Sequence, residues 1–365
     1  MKNLRGIARR VGAGSAIFAL LAGWLAVCSA PAWAQGETRL RLTLDRGIDG
    51  TAAALFVALD RGYFKAEGLD VSIDAATSPQ EALTRLALSN GAPETTHDMS
   101  IGDINALIRY RDQNPPTGIK AVFIVHDKPA YAIVGRKSRG VQFPKDVEGR
   151  KLGAPGIDPA AQVWPLFAKL NAIDPAKVTL LNVGPQVRAP MLASGEVDAI
   201  IGSSFAAFVD LKDRGVVAED IVTLLMADYG VTLYGSSVLV SAKFQAEQPR
   251  AISAFLRAYV RGLRDTMQNP AAAVDSVVSR MQGARKEIEL ERLQIVLTQN
   301  IQKLDPKAAV VGGVDPVRFA GSFEQLATIY TFKNKLKPED IFDARYLPAP
   351  PEPEPKAQPQ KKKKK

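Results

Sequence analysis

Short apolar runs alternating with capped, amphipathic helical segments limit this chain's fold more than any other feature of its sequence. "LRLTL" (Leu40 to Leu44) has apolar side chains at every second position, and "TAAALFVALDRGYF" follows with helical spacing after a glycine-containing loop. "LDVSID" reads as a second strand. In "SPQEALTRLALSNG", Ser78 is a helix cap, Pro79 takes the first helical position and Glu81 stands three residues after the cap. "HDMSIGDINALIRYR" turns from strand into helix, and "IKAVFIV" is the near-continuous apolar strand of a buried sheet. The same grammar restarts at "RKLGAP", continues through "GIDPAAQVWPLFAKLNAI" with Asp158 as cap, and runs on through "KVTLLNVG", "APMLASGEVDAIIGSS" and "IVTLLM". Strands separated by helices predict parallel sheets flanked by helices, and the restart predicts two such lobes. The fold class expected is α/β, with two Rossmann-like lobes. In the C-terminal third, "PRAISAFLRAYVRGLRDTM" places Ile252, Phe255, Leu256, Tyr259 and Leu263 on one helical stripe.

The ends need separate treatment. Lys2, Arg5, Arg9 and Arg10, an apolar run to about Ala30 and the small residues Ala32 and Ala34 make the order of a secretory signal peptide over residues 1–34. Cleavage is expected after Ala34, by general rather than twin-arginine export, and the run is short for a membrane anchor. The single cysteine, Cys28, lies inside that leader, with lipidation disfavoured by Val27. The mature chain then has no thiol for disulfides, nucleophilic chemistry or metal binding, which suits the periplasm. Of 47 Lys and Arg, four belong to the leader and five are the terminal lysines Lys361 to Lys365, leaving 38 against 38 acidic residues. The body is therefore neutral, and no nucleic-acid partner is expected. The proline- and lysine-rich tail, residues 347–365, reads first as a solvated extended segment and second as weak adhesion to anionic envelope surfaces.

The order of motifs resembles a known family. "LFVALDRGYFKAEGLDVSI", "DMSIGDINALI", "GRKLGAPG" before a capped helix, "LASGEVDAIIG" and "ADYGVTLYGSSVLVS" occur in the sequence of periplasmic solute-binding proteins that serve nitrate, taurine, alkanesulfonate and thiamine-pyrimidine importers. The last run is similar to the thiamine-pyrimidine-like branch. The resemblance covers roughly Leu40 to Leu347, and departs from the pattern at "NGAPETTHD", a lengthened turn that carries His97, read as solvent-exposed. It implies a type 2 periplasmic-binding-protein arrangement: two lobes joined by a two-segment hinge, with the ligand between them. Lobe 1 would comprise 38–127 plus 235–346, and lobe 2 residues 128–234.

Independently of the resemblance, ligands of open α/β sheets sit beyond the carboxyl ends of strands, facing helix N-termini. Four strand-to-helix junctions have that character here. They offer Arg46, Asp49 and Thr51; Asp103 and Asn105; Ile157 and Asp158; and Ser203, Ser204 and Phe205. Asp103 and Asp158 read equally as helix caps, and Trp164 as lobe core. His126 stands where "AVFIV" leaves toward "DKPAYAIVG", the expected first crossover. "MADYGVTLYGSS" reads as the second, with Gly230 and Gly235 as hinge positions and Asp228, Tyr229 and Tyr234 at the cleft floor.

No catalytic constellation is apparent: there is no Gly-x-Ser-x-Gly elbow, no phosphate loop, and only two histidines, which are not at metal-ligand spacing. No cofactor, metal or enzymatic activity is expected. The function expected is capture of a small molecule by a monomer that closes on it and delivers it to an ABC permease of the inner membrane. A sensor that reads the closed form, or a pyrimidine-synthesising enzyme on this fold, are the readings of other classes. Asp49, Asp103, Asp158 and Asp228 against Arg46 alone favour an aminopyrimidine or other small aromatic heterocycle over taurine, sulfonate or nitrate.

Overall fold

The computed structural model describes residues 37–88, 96–301 and 311–349. The leader with its expected cleavage site, Cys28 and the tail beyond Ala349 lie outside these residues. Among the described residues no helix is long and apolar enough to cross a membrane.

Among the described residues, ten strands form two five-stranded sheets. In chain order they are β1 (Thr38–Leu44), β2 (Leu69–Ala75), β3 (Met99–Asp103), β4 (Lys120–Ile124), β5 (Tyr131–Arg136), β6 (Lys151–Ala154), β7 (Thr179–Asn182), β8 (Ala199–Ser203), β9 (Ile221–Leu225) and β10 (Ser236–Val240). The first sheet has the order β2-β1-β3-β10-β4 and the second β7-β6-β8-β5-β9. The expectation of parallel sheets holds for β1 with β2 and β3, and for β6 with β7 and β8. It is corrected at β10 and β5, which run antiparallel to their neighbours. Each of these is the strand that enters a sheet directly from the other one. No α-helix intervenes to turn the chain round first, so it is free to pair antiparallel.

The chain passes between sheets twice, over residues 125–130 and 226–235, and the two crossovers are bonded to each other. Gly235 N–H donates to His126 O at 2.9 Å, and Val125 and His126 N–H both donate to Ser236 O, at 2.8 and 2.9 Å. The two glycines of "DYGVTLYG" have different physical causes. Gly230 has φ +91°, a conformation that side-chain-bearing residues avoid. Gly235 is needed for close approach instead: a Cβ there would lie 2.8 Å from Pro129 Cα and 2.9 Å from His126 Cβ.

The C-terminal helix Pro316–Ala327 seals this junction. Arg318 donates to Asp127 Oδ1 and Asp127 O of the first crossover at 2.8 and 2.5 Å, and to Thr232 O and Leu233 O of the second at 2.8 and 3.0 Å. Its guanidinium lies 3.9 Å from the centre of the Tyr234 ring. Phe319 meets the Tyr234 and Phe342 rings edge-on. In the first lobe, the predicted stripe Ile252, Phe255, Leu256, Tyr259 and Leu263 is buried, with Phe255 stacked on Phe64. Trp164 is buried beside Phe167, as core.

His97 is corrected. It is 3% exposed, and its Nε2 is 2.6 Å from Asp74 Oδ2, a carboxylate also held by Arg85 at 2.8 Å. A polar sequence context concealed a partner 23 residues upstream. The cap at Ser78 also differs in detail: its Oγ accepts from Glu81 N–H at 3.3 Å, but Glu81 reaches back to Thr77 rather than to Ser78.

Two substitutions test the junction. Arg318→Ala removes four donors and a cation over a ring, and is expected to cost roughly 2–3 kcal/mol in urea unfolding. Gly235→Ala adds a methyl where none fits, and is expected to cost about 1–3 kcal/mol. Unchanged midpoints for both would contradict this account of the crossovers.

Candidate functional site

The parallel strands of both sheets end on one cavity of about 300 Å³. Asp45, Arg46 and Asp49 follow β1, Thr77 to Pro79 follow β2, and Asp103 ends β3. From the second sheet come Pro155 and Ile157 to Pro159 after β6, Pro185 and Arg188 after β7, and Ser203, Phe205 and Ala206 at the end of β8. His126 and Ala130 from the first crossover with Tyr131 at the start of β5, and Gly235 from the second with Ser236 at the start of β10, complete the lining.

Of the residues expected at the site, Arg46, Asp49, Asp103, His126, Ile157, Asp158, Ser203 and Phe205 line this cavity. The remainder are placed elsewhere. Thr51 donates its hydroxyl to Asp49 Oδ1 at 2.5 Å, and lines a smaller pocket of about 40 Å³ behind Arg46 and His126. Asn105 is buried, and its Nδ2 donates to Tyr131 Oη at 3.0 Å and Tyr234 O at 2.7 Å, so its amide ties the crossovers together. Ser204 is buried with its N–H on Ala130 O.

The expected cleft floor is corrected. Asp228 is paired with Lys128 on the exposed surface, 2.7 Å apart. Tyr229 packs edge-on against Phe167. Tyr234 is buried, with its hydroxyl accepting from Asp315 N–H at 2.9 Å. None of the three lines the cavity. The aromatic surfaces there are Tyr131 and Phe205 instead.

Arg188, Tyr131 and Thr77 to Pro79 are cavity residues that sequence reasoning missed. Arg188 sits within the helix Pro185–Ser194 and reaches across the end of β8, donating to Asp158 Oδ2 at 2.6 Å and Ile201 O at 3.1 Å. The one signal for it was Gly202, where a Cβ would lie 2.3 Å from Arg188 Nη1.

The charges form closed pairs. Arg46 holds Asp45 through Nε at 2.9 Å and Nη2 at 3.4 Å. Asp158 accepts from Ala160 N–H as a cap while also pairing with Arg188. Asp49 caps the following turn through Thr51 N–H at 2.9 Å. Asp103 Oδ1 accepts from Asn105 and Ala106 N–H at 2.8 and 2.9 Å, and its Oδ2 accepts from the Tyr131 hydroxyl. Burial nevertheless pushes the Asp103 carboxyl above its usual range, because desolvation outweighs those donors. The Tyr131 phenol is pushed well above its own range by burial and then by Asp103. Ser203 Oγ is buried with no hydrogen-bond partner among the described residues, so it is available to a ligand.

His126 is brought down to about 3 from an ordinary value near 6.5, first by burial and then by the Arg46 charge. It is therefore neutral at pH 7. Between pH 6.5 and about 3 the unfolded chain binds a proton that the folded chain refuses, so stability falls with falling pH in that window. The slope is about 1.4 kcal/mol per pH unit. His126→Gln is expected to remove that slope from the pH dependence of urea midpoints. Parallel curves for the two proteins would show that His126 takes up its proton in the folded state.

Residues 50–273 match the family described as NMT1/THI5 like. The chain is 28% identical over 267 residues to the formylaminopyrimidine-binding protein of Halalkalibacterium halodurans, across 72% of this chain and 76% of that protein. It is 29% identical over 228 residues to the riboflavin-binding protein RibY of Chloroflexus aurantiacus, across 61% of each. A relative at 24% identity over 249 residues, across 66% of this chain and 69% of its own length, is the 4-amino-5-hydroxymethyl-2-methylpyrimidine phosphate synthase of Schizosaccharomyces pombe. Among solved structures, the periplasmic aliphatic sulphonate binding protein SsuA from Escherichia coli shares the fold, with a TM-score of 0.64 at 12% identity over 83% of this chain and 96% of its own. With the family model matched over more than half of its length, this chain belongs to the NMT1/THI5-like family.

Proposed function

We propose that this chain is the exported, non-enzymatic ligand-capture component of an ABC importer, and that it closes its two lobes on a small neutral or amino-bearing heterocycle of the aminopyrimidine class. The observation that carries the ligand class is the closed pairing of charge in the cavity. Both arginines are bonded to carboxylates, so their charge is already balanced and favours nitrate or a sulfonate less than an unpaired cation would. A cavity lined by four aspartates and two arginines instead suits a ring whose exocyclic N–H groups are donated to carboxylates, with Tyr131 and Phe205 against its apolar edge. The names of two relatives, one binding formylaminopyrimidine and the other riboflavin, agree with a nitrogen heterocycle.

A capture role is supported by the architecture. The cavity is assembled from both sheets around two bonded crossovers, so a ligand touches both lobes only when they approach, and binding then favours closure. An enzyme reading on the pattern of the synthase relatives finds less support, since the buried serine hydroxyl without a partner in the cavity, Ser203 Oγ, has no base bonded to it.

A thermal-shift screen against aminopyrimidines, riboflavin, taurine, alkanesulfonates and nitrate tests the ligand class. A rise in Tm with a heterocycle and none with the oxyanions is expected, and a response confined to taurine or nitrate would overturn the reading. Ser203→Ala is expected to weaken heterocycle binding by roughly five- to tenfold, the worth of one hydrogen bond. Asp228→Ala, on the far side of the crossover, is expected to leave the affinity unchanged.

A further inference from the structure

A second cavity, of about 320 Å³, adjoins the first at the mouth of the cleft. The two share Ser78, Pro79, Ile157 and Pro159 as a common wall, and Ile157 is 76% exposed along it. The outer chamber also draws on both lobes. Gln80, Arg109, Tyr110 and Gln113 come from the helices after β2 and β3, and Gln162 comes from the helix after β6.

The two chambers differ in charge. The inner one contains four aspartates and two arginines, and both arginines are spent on carboxylates. No Asp or Glu lines the outer chamber. Its single cation, Arg109, has neither an ion-pair nor a hydrogen-bond partner among the described residues. Arg109 is nonetheless close enough for its charge to act on Asp103 and Tyr131 of the inner cavity. An unpaired, half-buried guanidinium amid glutamine amides is a standing invitation to an anion, and a carboxylate or phosphate fits its forked donors.

We propose that the cleft is a two-chamber site whose outer chamber binds an anionic substituent, carboxylate or phosphate, carried by the ring held in the inner chamber. This rests on the heterocycle reading above and refines it. A free nitrate or a short sulfonate gains little, because in the inner chamber the charge of both cations is already balanced by a carboxylate. A ligand long enough to pass Ile157 gains the charge of Arg109 without disturbing either pair. Discrimination between a neutral ring and its anionic derivative is thereby separated in space from recognition of the ring.

The test is calorimetric titration of the full chain with a hydroxymethyl-bearing aminopyrimidine, its phosphate monoester and the corresponding carboxylic acid. At low ionic strength at least one anionic member is expected to bind about tenfold or more tightly than the neutral alcohol, with the gain shrinking as salt is added. Which of the two gains more distinguishes phosphate from carboxylate. Arg109→Gln is expected to abolish the difference between neutral and anionic members, and Arg109→Lys, which keeps the charge, to retain part of it. If the neutral ring binds and neither anion binds better, or if the gain survives Arg109→Gln, the outer chamber is not an anion site. If none of the three binds, the heterocycle reading fails and this proposal fails with it.

Discussion

The contact between the two crossovers is the constraint on which the rest of the structure depends. Gly235 packs against Pro129 and His126 with no room for a side chain, and the backbone bonds at His126 and Ser236 bind the two segments as one unit. Arg318 then fastens that unit to the C-terminal helix with donors to both segments. Because the crossovers are joined, the carboxyl ends of β1, β3, β6 and β8 face a common space instead of two independent ones. Tyr131 extends the junction into the cavity, where its hydroxyl meets Asp103 across the lobes. The crossovers and the cavity are thus made partly of the same residues.

The chemistry of the cavity follows from what its charged groups have already done with their hydrogen-bonding capacity. Asp49, Asp103 and Asp158 each cap a turn or helix, and Asp45 and Asp158 each hold an arginine. A carboxylate so engaged retains lone pairs for a donor on the ligand. Burial of His126 beside Arg46 removes the one group in the cavity that would otherwise titrate near neutrality. The inner chamber therefore holds most of its charged groups in fixed hydrogen-bonded pairs and caps.

Much of this was legible in the sequence, and the part that was not has a common cause. Strand periodicity, helix caps and proline at first helical positions are local signals, and they marked the junctions from which Arg46, Asp49, Asp103, His126, Ile157, Asp158, Ser203 and Phe205 reach the cavity. The antiparallel direction of β5 and β10 was missed because direction is set by where the chain comes from, not by the residues of the strand. Arg188 was missed because it lies in the middle of a helix and acts through a glycine 14 positions later. Tyr234 and Tyr229 looked like ligand contacts because half-polar aromatics suit a binding site. Tertiary partners, Asp315 and Arg318 for one and Phe167 for the other, had claimed them. His97 was misread for the same reason, its partner Asp74 being invisible from the polar residues around it.

The claim on which everything functional rests is that one cavity, built from both lobes, holds a nitrogen heterocycle. A crystal structure of the chain grown with a formylaminopyrimidine tests it most directly. The account predicts the ring between Arg46 and His126 on one side and Ile157 and Phe205 on the other, with Ser203 Oγ and at least one aspartate bonded to it and both arginine–aspartate pairs intact. An empty cavity at saturating ligand, or a ring held instead at Asp228 and Tyr229, would contradict it.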